Sequence, residues 1–247
     1  MKTIAIANQK GGVGKTTTAV TLAHGLALKG KQVLLIDLDP QGQCATALDI
    51  AHEDGVYTWL VAQRPLVEVA RKARTNLALV PGDKKTATLQ MLWQLEKTPI
   101  DALAHVLKPL GKRGKLDYVI FDTSPSGGGL QERALWAADL VIIPVKVDYL
   151  SADAVRETVA TMQHNIELGW RGSLLGILPT FLDSRVKDNL RMLQALEDVY
   201  TGQVLDPIHD RKQLPECVAE GRTIWEYDGG SVTGQEYSRL LYRVMAE

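Results

Sequence analysis

Ten residues near the N-terminus, Gln9-Lys10-Gly11-Gly12-Val13-Gly14-Lys15-Thr16-Thr17-Thr18, stand between an apolar β-branched run and a stretch with helical periodicity. Strand, glycine-rich turn, then helix is the setting in which a phosphate-binding loop works. Glycine lets the backbone curl until successive N–H groups converge on phosphate oxygens, and the helix N-terminus adds its partial positive charge. Gly11, Gly12, Val13, Gly14, Lys15, Thr16 and Thr17 are therefore candidate nucleotide contacts. Lys15 is expected to reach the β- and γ-phosphates, and the Thr16 hydroxyl to ligate Mg²⁺. The usual G-x-x-x-x-G-K-[ST] order is broken, because Gln9 takes the first glycine's place and Lys10 adds a second lysine to the loop.

Such a loop implies an α/β chain, and the remaining pattern agrees. Apolar runs at residues 3–8, 32–39, 77–81, 118–122, 140–145, 174–180 and 204–208 read as strands. Helical periods occupy 15–29, 102–110, 129–138, 152–168 and 189–200, with Gly30 where a helix-ending glycine belongs. Near-continuous apolar strands alternating with helices predict a mostly parallel sheet of about seven strands, covered on both faces. Nothing resembling a linker interrupts it, so residues 1–247 read as one domain. Residues 54–74 and 84–98 are polar and helix-prone, and are expected to decorate the sheet near its ligand edge.

Charge and cysteine content narrow the class further. Lys and Arg total 28 against 29 Asp and Glu, a net charge of −1, which excludes a basic coat but not a local basic patch. No apolar run approaches the length of a membrane helix, and the N-terminal apolar residues run straight into the loop, unlike a signal peptide. Cys44 and Cys217 lie far apart and outside any CxxC spacing, which argues for two free thiols rather than a disulfide framework or a zinc site.

Acidic residues close two of the strands. Asp37-Leu38-Asp39-Pro40-Gln41-Gly42 follows the second, and Tyr118-Val119-Ile120-Phe121-Asp122 forms a Walker-B type strand whose Asp122 is expected to hold Mg²⁺ directly or through water. In open α/β sheets ligands sit beyond the carboxyl ends of the strands, where Asp37 and Asp39 both lie. The plainer alternative for either is an aspartate that caps the next helix.

The loop form K-G-G-x-G-K-T-T resembles the deviant phosphate loop of the ParA/MinD family of ATPases. The likeness continues through D-x-D-P-Q-G, through Thr123-Ser124-Pro125-Ser126-Gly127-Gly128-Gly129, and through Ala137-Ala138-Asp139 with Ile143-Pro144-Val145. Leu178-Pro179-Thr180-Phe181 and a C-terminal block from Gly221 to Tyr237 extend it over most of the chain. The resemblance implies a single-domain P-loop fold in which Lys10 reaches across a nucleotide-sandwich homodimer to the partner's phosphates. It gives Asp39 the attacking water, Asp37 the Mg²⁺ hydration shell, and Thr123–Gly129 a second switch. Thr180, Ile208 and His209 would border adenine. The family's Ile-Pro-Arg is here Ile208-His209-Asp210, with Arg211 and Lys212 next to it, and its paired prolines are Ser124-Pro125.

With no helix-turn-helix extension preceding the loop, the likeness is to the short, Soj-like ParA proteins. It implies ATP and Mg²⁺ as cofactors and a cytoplasmic protein, associated with the nucleoid through nonspecific double-stranded DNA in the ATP state. A cargo-adaptor or centromere-binding partner would stimulate hydrolysis. The cargo, whether plasmid, chromosome or protein assembly, stays open. DNA contacts are expected among Arg185, Lys187, Arg191, Arg211, Lys212 and Arg222, although acids outnumber bases eight to six between Asp183 and Arg222. A MinD-like membrane role is disfavoured because residues 235–247 carry two arginines against two glutamates. An ATP-using metabolic enzyme on the same fold is the remaining alternative.

Overall fold

Strands that are apolar on both sides are satisfied only between two layers of helix. The computed structural model, which describes residues 1–112, 114–125, 129–148 and 152–247, has that arrangement. In chain order it runs β1 (Lys2–Ile6), α1 (Lys15–Leu28), β2 (Val33–Asp37), α2 (Gln43–Leu48), α3 (Val56–Leu60), α4 (Leu66–Val69), β3 (Arg71–Arg74), β4 (Leu77–Val80), α5 (Lys84–Leu95) and α6 (Ala102–Lys112). It continues β5 (Tyr118–Asp122), α7 (Leu130–Ala137), β6 (Leu140–Lys146), α8 (Ala152–Glu167), β7 (Ser173–Thr180), α9 (Lys187–Val199), α10 (Gln213–Ala219), α11 (Ile224–Asp228) and α12 (Val232–Met245). The strands form one sheet in the order β3-β4-β2-β5-β1-β6-β7.

Period-two alternation sorts the strand residues into two cores. Ile4 and Ile6 of β1 join Leu35, Ile120 and Ile142 beneath α1 and α12, whereas Ala5, Leu34, Phe121 and Val141 face α6, α7 and α8. The C-terminal helix packs on the domain as expected, but chiefly through α1, burying Tyr237, Leu240, Leu241 and Val244. Among the described residues no helix is long and apolar enough to cross a membrane.

Two expectations about the sheet are corrected. Residues 204–208 are not a strand: Val204 makes an isolated bridge to Ile177 of β7, and a second isolated bridge, His209 to Leu182, lies beyond the ends of both segments. Pro207 has no N–H to give a ladder, so pairing breaks there and resumes when Ile208 N–H donates to Pro179 O at 2.8 Å. Conversely, residues 54–74 are more than helical decoration, since Arg71–Arg74 forms an antiparallel edge strand on β4. An edge strand needs one partner only and tolerates charge, which hides an Arg-Lys-Ala-Arg strand from a reading based on apolar runs. Residues 84–98 are helical as expected, α5 beginning in a capping box of Asp83 and Thr86.

Arg74 fastens that edge to the rest of the chain. Its guanidinium takes Glu226 at 2.5 Å and 3.2 Å and donates to Leu48 O at 3.0 Å and Gly221 O at 2.9 Å. It thus ties the end of α2 to the α10–α11 turn, with side chains only 22% and 29% exposed. Arg74→Ala is expected to lower the unfolding free energy by about 2 kcal/mol in urea titration, because two carbonyls and a carboxylate lose their donor. Removing the exposed Arg64–Glu68 pair is expected to change little.

Candidate nucleotide and metal site

The loop between β1 and α1 is shaped by two glycines in the left-handed region, Gly12 at φ 70° and Gly14 at φ 84°. At Gly14 the constraint is the backbone angle and not space, since a Cβ there would stand in ordinary contact, 3.5 Å from the Phe181 ring. Local bonds hold the loop, as Asn8 Nδ2 donates to Pro144 O (2.7 Å), Lys10 N–H to Asn8 Oδ1 (2.9 Å) and Thr180 Oγ1 to Val13 O (3.0 Å). No side chain caps α1 at Gly14, which leaves its first amides to an external acceptor. Lys15 is buried and donates to Lys10 O at 2.9 Å. Burial lowers its pKa, while the Asp122 and Asp39 carboxylates pull the other way. Lys10 stands at the outer lip, 26% exposed, with its ammonium 2.8 Å from Asp148 beyond the end of β6.

Strand register brings the acids to this loop. β2 and β5 are parallel neighbours with Asp37 level with Asp122, and Asp122 is level with Ile6, the last residue of β1. Asp37 Oδ1 accepts from Asp39 N–H (3.0 Å) and Oδ2 from Cys44 N–H (3.1 Å). Asp37 therefore does hold the start of α2, as the capping alternative requires, while also facing Asp122. Burial, with the Asp122 charge adding to it, raises the Asp37 carboxyl well above the usual range against the pull of the two backbone N–H groups. Asp122 is pushed up to about 6 by burial, opposed by the Thr16 hydroxyl, the Cys44 thiol and Lys15. Its Oδ2 accepts from Cys44 Sγ at 3.3 Å, and its Oδ1 has no hydrogen-bond partner among the described residues. A buried carboxylate oxygen without a donor, a second carboxylate and the nearby Thr16 hydroxyl suit a hard divalent cation such as Mg²⁺. Asp39 is half-buried and accepts from Gln41 N–H at 2.9 Å, capping its own turn rather than α2.

Gly82, which no motif marked, governs this corner. A Cβ there would lie 2.3 Å from Asp39 O and 2.9 Å from Asp37 O. The Pro81-Gly82 pair signals a turn, and that turn lets β4 pass close behind the acidic segment. Of the expected second switch, Ser126, Gly127 and Gly128 lie outside the described residues. Thr123 Oγ1 donates to Ile6 O at 2.9 Å and Gly129 leads into α7.

Beside the loop a cleft of about 140 Å³ brings together Gly14, Thr17, Thr180, Ile208 and His209, the last three being the residues expected to border adenine. Asp210 and Arg211 also line it, and Phe181, Leu214, Pro215, Val218 and Tyr237 supply its apolar walls. The apolar residues follow β7 or come from α10 and α12 and carry no chemical signature, so no spacing rule marks Leu214, Pro215 or Val218 in the sequence. His209 is a border residue under restraint: Glu236, almost fully buried, lies 2.8 Å from its Nδ1 and accepts its backbone N–H at 3.1 Å. Arg211 neutralises the same Glu236 at 2.9 Å and 2.8 Å.

The six residues expected at DNA fare unequally. Arg185, Arg191 and Arg222 pair with Asp183, Asp188 and Glu220, and Arg211 belongs to the cleft. Lys187 and Lys212 form no ion pair among the described residues. Any basic patch is therefore small and locally offset.

Residues 1–169 match the family described as AAA domain. The chain is 36% identical over 250 residues to the chromosome-partitioning ATPase Soj of Thermus thermophilus, covering 100% of this chain and 96% of that one. Among solved structures it is similar to apo McdA of Cyanothece, with a TM-score of 0.90, 24% identity and 99% of both chains covered. It is also similar to cobyrinic acid a,c-diamide synthase of Mycobacterium smegmatis with bound ATP analog and magnesium: TM-score 0.84, 28% identity, 99% of this chain and 94% of that one.

The raised Asp122 value carries a stability consequence. Its folded-state pKa, about 6, lies above the ordinary carboxylate value of 3.8, so the ionised carboxylate destabilises the fold at neutral pH and ceases to do so as pH falls. Asp122→Asn is expected to stabilise the nucleotide-free chain by on the order of 2 kcal/mol at neutral pH, the gain vanishing below about pH 4. Chemical denaturation across pH measures it.

Proposed function

The chain belongs to the AAA-domain family and is a partition- or positioning-type ATPase of the ParA/MinD kind, and from there we propose that it works as an ATP-built dimer on nonspecific DNA. The observation that carries this reading is the second lysine, Lys10, in a phosphate loop whose own cavity is already served by Lys15. One lysine suffices for phosphates in cis; a second at the outer lip is suited to the phosphates of a facing subunit.

In the proposed cycle the loop amides and Lys15 hold the phosphates of ATP, and the cleft along Thr180, Phe181, Ile208 and His209 takes adenine. Thr16, Asp37 and Asp122 would hold Mg²⁺, which when bound neutralises charge on the β- and γ-oxygens. Asp39 orients the water that attacks the γ-phosphorus, so that ADP and phosphate leave. Lys10 exchanges Asp148 for the partner's nucleotide as two subunits close over two ATP molecules. Dimerisation doubles the cations that meet DNA phosphates, which makes DNA affinity depend on the nucleotide. A cargo-adaptor or centromere-binding protein that speeds hydrolysis would release the dimer from the nucleoid. The ion-paired C-terminal helix, with Arg243 on Glu247 and its apolar face buried, gives no support to membrane attachment.

Binding to nonspecific duplex DNA is expected with Mg·ATP and not with Mg·ADP, weakening roughly a thousandfold between about 50 and 200 mM salt if six phosphates are engaged. Lys187→Glu with Lys212→Glu is expected to weaken it further. Absence of binding in both states would move the function to a small-molecule or membrane role. Lys10→Ala is expected to leave ATP binding by the monomer intact while lowering turnover about a hundredfold and preventing the ATP dimer. Light scattering and phosphate release separate the two effects, and unchanged turnover would remove the trans role.

A further inference from the structure

The two thiols, unconnected to any metal pattern in the sequence, meet different surroundings. Cys217 lies in the core beneath α1 and α12. Cys44 is the second residue of α2, its N–H bonded to Asp37 and its Sγ 3.3 Å from Asp122 Oδ2. One donor atom each from Asp37, Cys44 and Asp122 lie within 4.8 Å of one another, and all three residues are fully buried. Asp122 Oδ1 has no hydrogen-bond partner among the described residues. A magnesium site has no use for sulfur, since Mg²⁺ takes oxygen ligands and completes its shell with water and phosphate.

We propose that Asp37, Cys44 and Asp122 form a site for a thiophilic divalent cation, Zn²⁺ in the first instance, that overlaps the Mg²⁺ position and shuts the nucleotide site down. The inhibitory part rests on the reading of Asp37 and Asp122 as the Mg²⁺ side of an ATPase; the binding part does not. Zn–S and Zn–O bonds of about 2.3 and 2.0 Å at the tetrahedral angle separate sulfur and oxygen by about 3.5 Å, close to the 3.3 Å found. Two carboxylates and a thiolate satisfy three positions and leave the fourth to water. Cys44 gives its proton to solvent as the Zn–S bond forms, and no electron is transferred. All the protein ligands come from one chain, so Zn²⁺ needs no nucleotide, whereas Mg²⁺ depends on the phosphates of ATP.

The test uses the full chain without nucleotide, dialysed against Zn²⁺ for elemental analysis and titrated with Co²⁺ as an optical reporter. One Zn²⁺ per chain is expected, together with a sulfur-to-cobalt charge-transfer band and tetrahedral d–d bands. Both are expected to persist in Cys217→Ala, where Cys44 is the sole remaining thiol. Cys44→Ala is expected to bind Zn²⁺ about tenfold more weakly or worse. A Co²⁺ spectrum without the sulfur band in Cys217→Ala overturns the site, whether or not Cys44→Ala folds; so does unchanged Zn²⁺ affinity in a folded Cys44→Ala chain. Stoichiometric Zn²⁺ is expected to stop Mg·ATP turnover reversibly to a chelator, and full turnover with Zn²⁺ bound overturns the inhibition. A chain with no turnover under any condition contradicts the ATPase reading instead, and leaves the nucleotide-free binding result standing.

Discussion

Two carboxylates held level with each other and out of water, at the ends of adjacent parallel strands, are the constraint around which this molecule is arranged. Asp37 and Asp122 are in register because β2 and β5 are neighbours, and neither is exposed. Burial and mutual repulsion oppose their ionisation. The surroundings respond with what lies to hand: two backbone N–H groups for Asp37, a thiol and the Lys15 ammonium for Asp122. That is enough to keep the fold and too little to neutralise the site. The residual demand for positive charge is what the proposed cation would satisfy beside the phosphate loop.

The base cleft is built on the opposite principle. Its lining is mostly apolar, and two of its polar residues, Arg211 and His209, are both bound to the buried Glu236. His209 is thereby fixed at the wall of the cleft. Arg211 is withdrawn from any DNA surface by the same bond, which explains how a chain of net charge −1 has few unpaired cations near residues 183–222.

The phosphate-loop pattern and the acidic strand ends were legible in advance because they are local. Glycines with positive φ, a lysine at a helix start and acids that end apolar runs are properties of consecutive residues, and the fold placed Gly12, Gly14, Lys15, Asp37 and Asp122 together as their spacing implied. The sheet was legible where strands are buried on both faces and illegible at its margins. There the polar β3 is a strand and the apolar 204–208 is not, since edge pairing depends on available N–H groups more than on hydrophobicity.

The sequence by itself determined the parallel α/β architecture, the phosphate loop with its second lysine and the acidic strand ends, since each follows from short-range pattern. Only the tertiary structure decided that Cys44 would share a hollow with Asp37 and Asp122, and that Phe181, Leu214 and Tyr237 would wall the base cleft. It likewise put Glu236 against His209, 27 residues away along the chain. Those groups meet through strand order and helix packing, long-range contacts that leave no periodic mark in the chain, and a thiol or a phenyl ring has no spacing rule until a neighbour is brought beside it.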